Sequence, residues 1–217
     1  MSTAQQSPRT PAPAPATTTI ADPAPLGLAG FAMTTLVLSS FNANLLNKSG
    51  EAVVLPLALF WGGLAQLLAG MWEFRRGNTF GATAFASFGA FWLAYYALVK
   101  DSLPSMTAAS ASSVGNSVGL FLLVWCIFTL YMSVAALRVN VAVLSVFVTL
   151  TITFLLLAIG SFSANASITK AGGWVGLVTG LLAVYTSFAG VTASTFGRPV
   201  LPVWPLERRA KAPTQLP

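Results

Sequence analysis

The side chains able to do chemistry in this chain are sparse and uncharged. In the first long apolar stretch, Phe31, Thr34, Leu38, Asn42 and Leu45 share one helical face. In the second, Gly62, Gln66, Ala69 and Glu73 do the same. In the fifth, Leu150, Phe154, Leu157 and Ser161 align, with Asn165 just beyond. Hydroxyls and amides of this kind donate and accept hydrogen bonds. They pair neighbouring membrane helices in the ordinary case, and they line a path for a polar solute in the functional one. Three such faces in one small protein favour a lined path.

Other chemistries lack their residues. There is no histidine, which removes the commonest metal ligand and neutral-pH acid/base. The single cysteine, Cys126, lies inside an apolar stretch, so neither an internal disulfide nor a thiolate metal site can form. No nucleophile–base pair and no glycine-rich phosphate loop is visible. We therefore expect no catalytic residues, no metal and no cofactor. Glu73 is the only carboxylate near membrane depth. A carboxylate at a helix end beside Arg75 and Arg76 reads first as an interfacial ion pair, and secondly as a proton- or ion-coupling group.

The elements that must position these residues are written in the charge pattern. Hydrophobic residues make up 55% of the chain and charged residues 7%, with a mean hydropathy of +0.76. A soluble domain carries roughly a quarter charged residues, so the solvent for most of this chain is lipid. No charge falls between Arg76 and Lys100, from Ser102 to Leu137, from Val139 to Thr169, or from Ala171 to Gly197. Each gap exceeds the ~20 residues that cross a hydrocarbon core. The pattern predicts an all-α integral membrane protein of six transmembrane helices, near 27–46, 53–74, 80–99, 117–137, 141–162 and 172–193. Pro23 and Pro25 are expected to hold off the first helix until about Leu26, and KDSLPSMTAASASSVGN to form the longest loop.

Residues 1–20, with PAPAPA at their centre, have the composition of a disordered tail. Residues 21–197 form the six-helix domain, and 198–217 a Pro-rich basic tail. There is no signal-peptide apolar region, so insertion falls to the first true span. The net charge of +6 comes from single basic residues between spans and in the last tail. That fits membrane topology rather than nucleic-acid binding. One side carries Arg9, Arg75, Arg76, Arg138, Arg198, Arg208, Arg209 and Lys211; the other carries Lys48, Lys100 and Lys170. The positive-inside rule then puts both termini in the cytoplasm and the protein in the cell membrane. In the sixth span, Gly172, Gly176 and Gly180 allow a close helix approach, within the subunit or between subunits. Of the tryptophans, Trp92 and Trp125 lie deep enough to pack inside the bundle.

The segment Asp22-Pro23-Ala24-Pro25-Leu26-Gly27-Leu28 resembles the Asn-Pro-Ala-Pro-Leu-Gly-Leu signature of the acetate uptake transporter family. The resemblance continues through GFAMTT, FWGGLAQLLAGMWEFRRGNTFGATAFASFGAFW, LLAIGS, AGGWVGL and FGRPVLP, covering about residues 21–202. It implies six-helix subunits in a homo-hexameric ring, each with its own pore for acetate, similar small carboxylates and, in some members, succinate. It also implies a constriction at Phe31, Phe88 and Leu150, and an entry that includes Asp22 and Pro23. Thr34, Asn42, Gln66 and Asn165 would supply hydrogen bonds along the path. Two positions depart from the pattern. The bacterial permease of the family has tyrosine where this chain has Phe88, and the signature has asparagine where it has Asp22. An ionised Asp22 would repel an approaching anion, so either Asp22 is protonated or paired, or the uptake preference has shifted toward the protonated acid or another substrate. The expected activity is proton-linked uptake, with a passive anion channel as the alternative and a sensor or scaffold without transport as a third reading.

Overall fold

The computed structural model describes residues 20–106 and 109–206. Arg9, Arg208, Arg209 and Lys211, and with them most of both predicted tails, lie outside the described residues. Six helices of 19 to 31 residues are long and apolar enough to cross a membrane: α1 (Ala24–Asn42), α2 (Lys48–Arg76), α3 (Thr79–Ser105), α4 (Ala111–Ala136), α5 (Val141–Phe162) and α6 (Ala166–Phe196). With a rise of ~1.5 Å per residue, even the shortest reaches nearly the ~30 Å of a hydrocarbon core. The protein is a multi-pass helical membrane protein, and no strands occur among the described residues.

The fifth helix has the predicted bounds; the others run longer or shift, and caps explain why. Helix α1 begins at Ala24 rather than after Leu26, because Pro25 sits in the first turn, where a missing N–H leaves no bond unmade. The Asp22 side chain accepts the Ala24 N–H there, at 3.1 Å. Asn44, with φ 59°, stops α1 short of the predicted Leu46. Ser110 accepts the Ser113 N–H and starts α4 before the predicted Ser117. A π-turn over Leu98–Ser102 carries α3 into the expected long loop. Asn165 starts α6 early, so Lys170 lies inside a helix.

Around the bundle, α6 packs against both α1 and α5, α5 against α4, and α2 against α3 and α1. Gly172, Gly176 and Gly180 face inward: added β-carbons would meet Leu157 of α5, and Ser39 and Leu36 of α1. The glycine strip therefore serves packing within the subunit. Between α3 and α4 the ring is closed mainly by aromatic side chains. Phe91 lies 5.1 Å from Trp125 and 5.9 Å from Phe121 between ring centroids. Midway along α2, a π-helical turn over Phe60–Ala65 carries Gly62. A β-carbon at Gly62 would stand 2.7 Å from Thr34 Oγ1 and 2.9 Å from the Trp92 ring, so only glycine lets α2 approach α1 and α3 here.

The two ends of the bundle differ in charge. Asp22 meets Arg76 of the α2–α3 turn, and Pro205 bridges Asn140 beside the α4–α5 turn, so Arg76 and Arg138 share the end where both described termini lie. Lys48 and Thr169 line one cavity at the opposite end.

Candidate functional site

A cavity of about 470 Å³ enters the bundle from the Lys48 end. Its deep walls are apolar, built from Leu38 of α1, Phe91 of α3, Phe121 of α4, and Phe154 and Leu157 of α5. Thr35, Ser39, Asn42 and Thr153 add hydrogen-bonding groups, and Lys48 and Glu51 are the charged residues on its lining. Phe31 and Leu150 close the inner end. Both also border a second space of about 20 Å³, together with Phe88, Phe147 and Gln66. That volume suits about one water molecule.

The structure thus brings Phe31, Phe88 and Leu150 together from α1, α3 and α5, at 3–4% exposure each, between two internal spaces. The Phe31 and Phe88 rings lie 5.7 Å apart between centroids. Phe88 is in turn held by Phe128 at 5.3 Å, Phe147 at 5.9 Å and Trp125 at 6.1 Å. Neither Phe88 nor its ring neighbours bring charge to this barrier.

The expected path residues separate. Asn42 lines the large cavity, and Gln66 the small one with its Oε1 unpartnered. Thr34 lines neither. Its hydroxyl donates to the Gly30 carbonyl at 2.8 Å, and the residue is fully buried against Gly62. Asn165 also lines neither: it is exposed, and its Oδ1 accepts the N–H groups of Ser167 and Ile168, capping α6. Pro23 is buried at the start of α1. Asp22 is exposed and paired, its Oδ1 accepting from Arg76 at 2.5 Å. Of the alternatives for an ionised Asp22, pairing is what the geometry displays. Thr35 and Ser39 were missed by the face reading. They stand four and eight residues beyond Phe31, and the i, i+4 spacing was the available signal.

Glu73, in the last turn of α2, is shielded from solvent by the protein. It is fully buried, Asn78 donates to its Oε2 at 2.9 Å, and Arg76 lies 3.8 Å away. The pairing with Arg76 is present, but the closer partner is an amide across the turn. A β-carbon at Gly81 would lie 3.0 Å from Glu73 Oε1, so the first turn of α3 also shapes this pocket.

A ring of membrane helices around a largely apolar interior cavity has the architecture of a membrane transporter or channel. The sequence places it among known ones: residues 4–208 match the model of the GPR1/FUN34/yaaH family, and the chain belongs to that family. It is 41% identical over 186 residues to the succinate-acetate/proton symporter SatP of Escherichia coli, covering 86% of this chain and 96% of that protein. It is 42% identical over 195 residues to acetate permease A of Emericella nidulans, covering 84% of this chain and 65% of that one. The fold matches the solved structure of the bacterial acetate channel SatP with a TM-score of 0.78 and 40% identity, over 85% of this chain and 99% of that one.

Proposed function

We propose that this protein carries acetate and related small monocarboxylates, with succinate as a further cargo, across the cell membrane through a pore inside each subunit. The observation that supports this best is the alignment of a wide cavity, an apolar constriction at Phe31, Phe88 and Leu150, and a second small space lined by Gln66. Similarity to proteins named for acetate and succinate transport supplies the cargo.

The constriction bears on the form that crosses. Stripping water from a carboxylate without a partner costs several kcal/mol or more. The neutral acid crosses far more cheaply. A small carboxylic acid has a pKa near that of a glutamate side chain, ~4.3, so less than ~1% is neutral at pH 7. Passage is therefore proton-linked: the neutral acid crosses, or the anion moves with a proton. Uptake rises as pH falls. Radiolabelled acetate uptake into liposomes under an imposed pH gradient tests this, and indifference to the gradient sinks the coupling. The passive channel is the second reading, favoured by the likeness to a solved acetate channel; single-channel currents in planar bilayers would identify it.

The arginine-rich end faces the cytoplasm in this reading, following the positive-inside rule. The exposed apolar faces of α2 and α4, including Phe60, Met71, Leu120 and Ile127, meet lipid or neighbouring subunits of a hexameric ring. The segments 1–20 and 198–217 are tails outside the transport domain. Within the second, Val203 and Trp204 carbonyls accept the Ala142 and Val141 N–H groups, so its described part is held on the start of α5.

A further inference from the structure

Among the described residues, Glu73 is the one carboxylate, lysine or arginine that is fully buried. Its two oxygens are served unequally. Oε2 accepts the Asn78 amide at 2.9 Å, and Oε1 has no donor. The charged groups that act on it come from two segments: Arg76 on its own helix and Asp22 ahead of α1. The first turn of α3 packs against it through Asn78 and Gly81 and brings no charge. Arg75 makes no ion pair among the described residues. One guanidinium therefore faces two carboxyl groups. It always carries its charge, and its Nη1 lies 2.5 Å from Asp22 Oδ1 but 3.8 Å from Glu73 Oε2. Asp22 is fixed for this contact by the Ala24 N–H, which Oδ1 also accepts. With Arg76 committed to Asp22, an ionised Glu73 would be a buried charge with one oxygen bare, a costly arrangement inside a protein. A proton on Oε1 removes the charge and leaves only an unpaired O–H, which costs less.

We propose that Glu73 is the binding site of the coupled proton, and that Arg76 is the partner that changes places with that proton. The inference rests on the proton-linked reading of transport. While Arg76 is held by Asp22, Glu73 takes one proton from water on Oε1. When Arg76 turns to Glu73, that O–H bond breaks and the proton returns to water. Arg76 and Asn78 both border solvent, so water reaches the edge of the cluster. The site is also placed to act on the path. Gln66, Ala69 and Glu73 follow one buried face of α2, and Gln66 borders the small space beside the constriction. Glu73 stands seven residues beyond Gln66, about 10 Å along the helix. The cluster ties the starts of α1 and α3, the helices that carry Phe31 and Phe88. Asp22 stands where the family signature has asparagine, so the competition for Arg76 belongs to this chain's departure from that signature.

The test uses the full chain in liposomes, with acetate as the probe and protein-free liposomes as background. Two initial rates are compared: uptake driven by an imposed pH gradient, and exchange of labelled for unlabelled acetate at equal pH. Glu73→Gln keeps the size and still accepts from Asn78, but it cannot bind or release a proton. It should lower the ratio of gradient-driven uptake to exchange by about fivefold or more. Infrared difference spectra of the purified protein give a second readout. The wild type should show the C=O band of a protonated carboxylic acid, fading as pH rises, and Glu73→Gln should lack it. Asp22→Asn frees Arg76 for Glu73 and should weaken the band about twofold at a fixed pH. If the wild type responds to the gradient while Glu73→Gln keeps the wild-type ratio, or removes no carboxylic-acid band, the site is overturned and the proton-linked reading stands. If wild-type uptake is indifferent to the gradient, that reading fails and the proposal falls with it. Should Glu73→Gln fail to fold, Asp22→Asn decides alone, and an unchanged band overturns the site.

Discussion

The two ends of this bundle solve opposite problems. At the Lys48 end the helices part around a 470 Å³ cavity, and hydrogen-bonding groups on its wall are left without partners. At the other end the helices are tied together. Arg76 joins Asp22 at 2.5 Å, Asn78 holds Glu73 at 2.9 Å, and the Ser187 hydroxyl donates to the Pro25 carbonyl at 2.7 Å. Tyr185 donates to the Pro202 carbonyl at 2.7 Å as well. The cavity end leaves the Thr35 and Trp92 donors without protein partners; the tied end joins distant segments through these bonds, although Glu73 Oε1 there is also unpartnered. The proposed constriction at Phe31, Phe88 and Leu150 lies between the two ends. The lesson is that polar residues of similar type, on the same helices, take contrary roles according to whether a neighbouring helix is close enough to satisfy them.

The strongest test of this contrast removes the boundary between the two ends. Phe31→Ala should join the large and small spaces, lower the apolar barrier, and raise acetate flux without a pH gradient by about tenfold or more. Flux into liposomes checks it, and a flux no greater than wild type would place the barrier elsewhere. Loosening the tied end comes next. Glu73→Ala leaves Asn78 without its carboxylate and should cost about 2–3 kcal/mol of stability, read as a lower melting temperature in detergent. The open end should answer to charge instead. Lys48→Gln should slow acetate uptake about twofold to threefold at low ionic strength, with the difference fading toward 1 M salt. Asp22→Asn should matter least for stability, by under about 1 kcal/mol, because the Arg76 pair is solvent-exposed. Its melting temperature relative to wild type measures that directly. A loss as large as that of Glu73→Ala would show that the exposed pair, rather than the buried carboxylate, holds this end together.

Much of the architecture is legible in the sequence alone. Charge-free stretches fix membrane spans because burial in lipid depends on a local sum of transfer energies, and neighbours along the chain supply that sum. The helix starts were less legible, because a single capping side chain moves them by a turn or more. Ser110 and Asn165 did so here, and Asn165 took a capping role where a path role was expected. The face of α1 was legible only coarsely. Helical period marks a broad stripe that includes both Thr34 and Thr35. Which of them meets the cavity depends on where α2 and α3 come to rest.

By itself, then, the sequence determined the six helices, the unequal charge of the two ends, and a resemblance covering nearly all of the spans. Only the tertiary structure decided that Asp22 is neutralised by an arginine 54 positions away, that Glu73 is buried, and that the glycine strip packs within the subunit. It also decided that the unpartnered donors are Thr35 and Trp92. The reason is physical. Hydropathy and capping act over one or two turns, whereas the satisfaction of a polar group is settled by whichever distant segment folding brings within 3 Å of it.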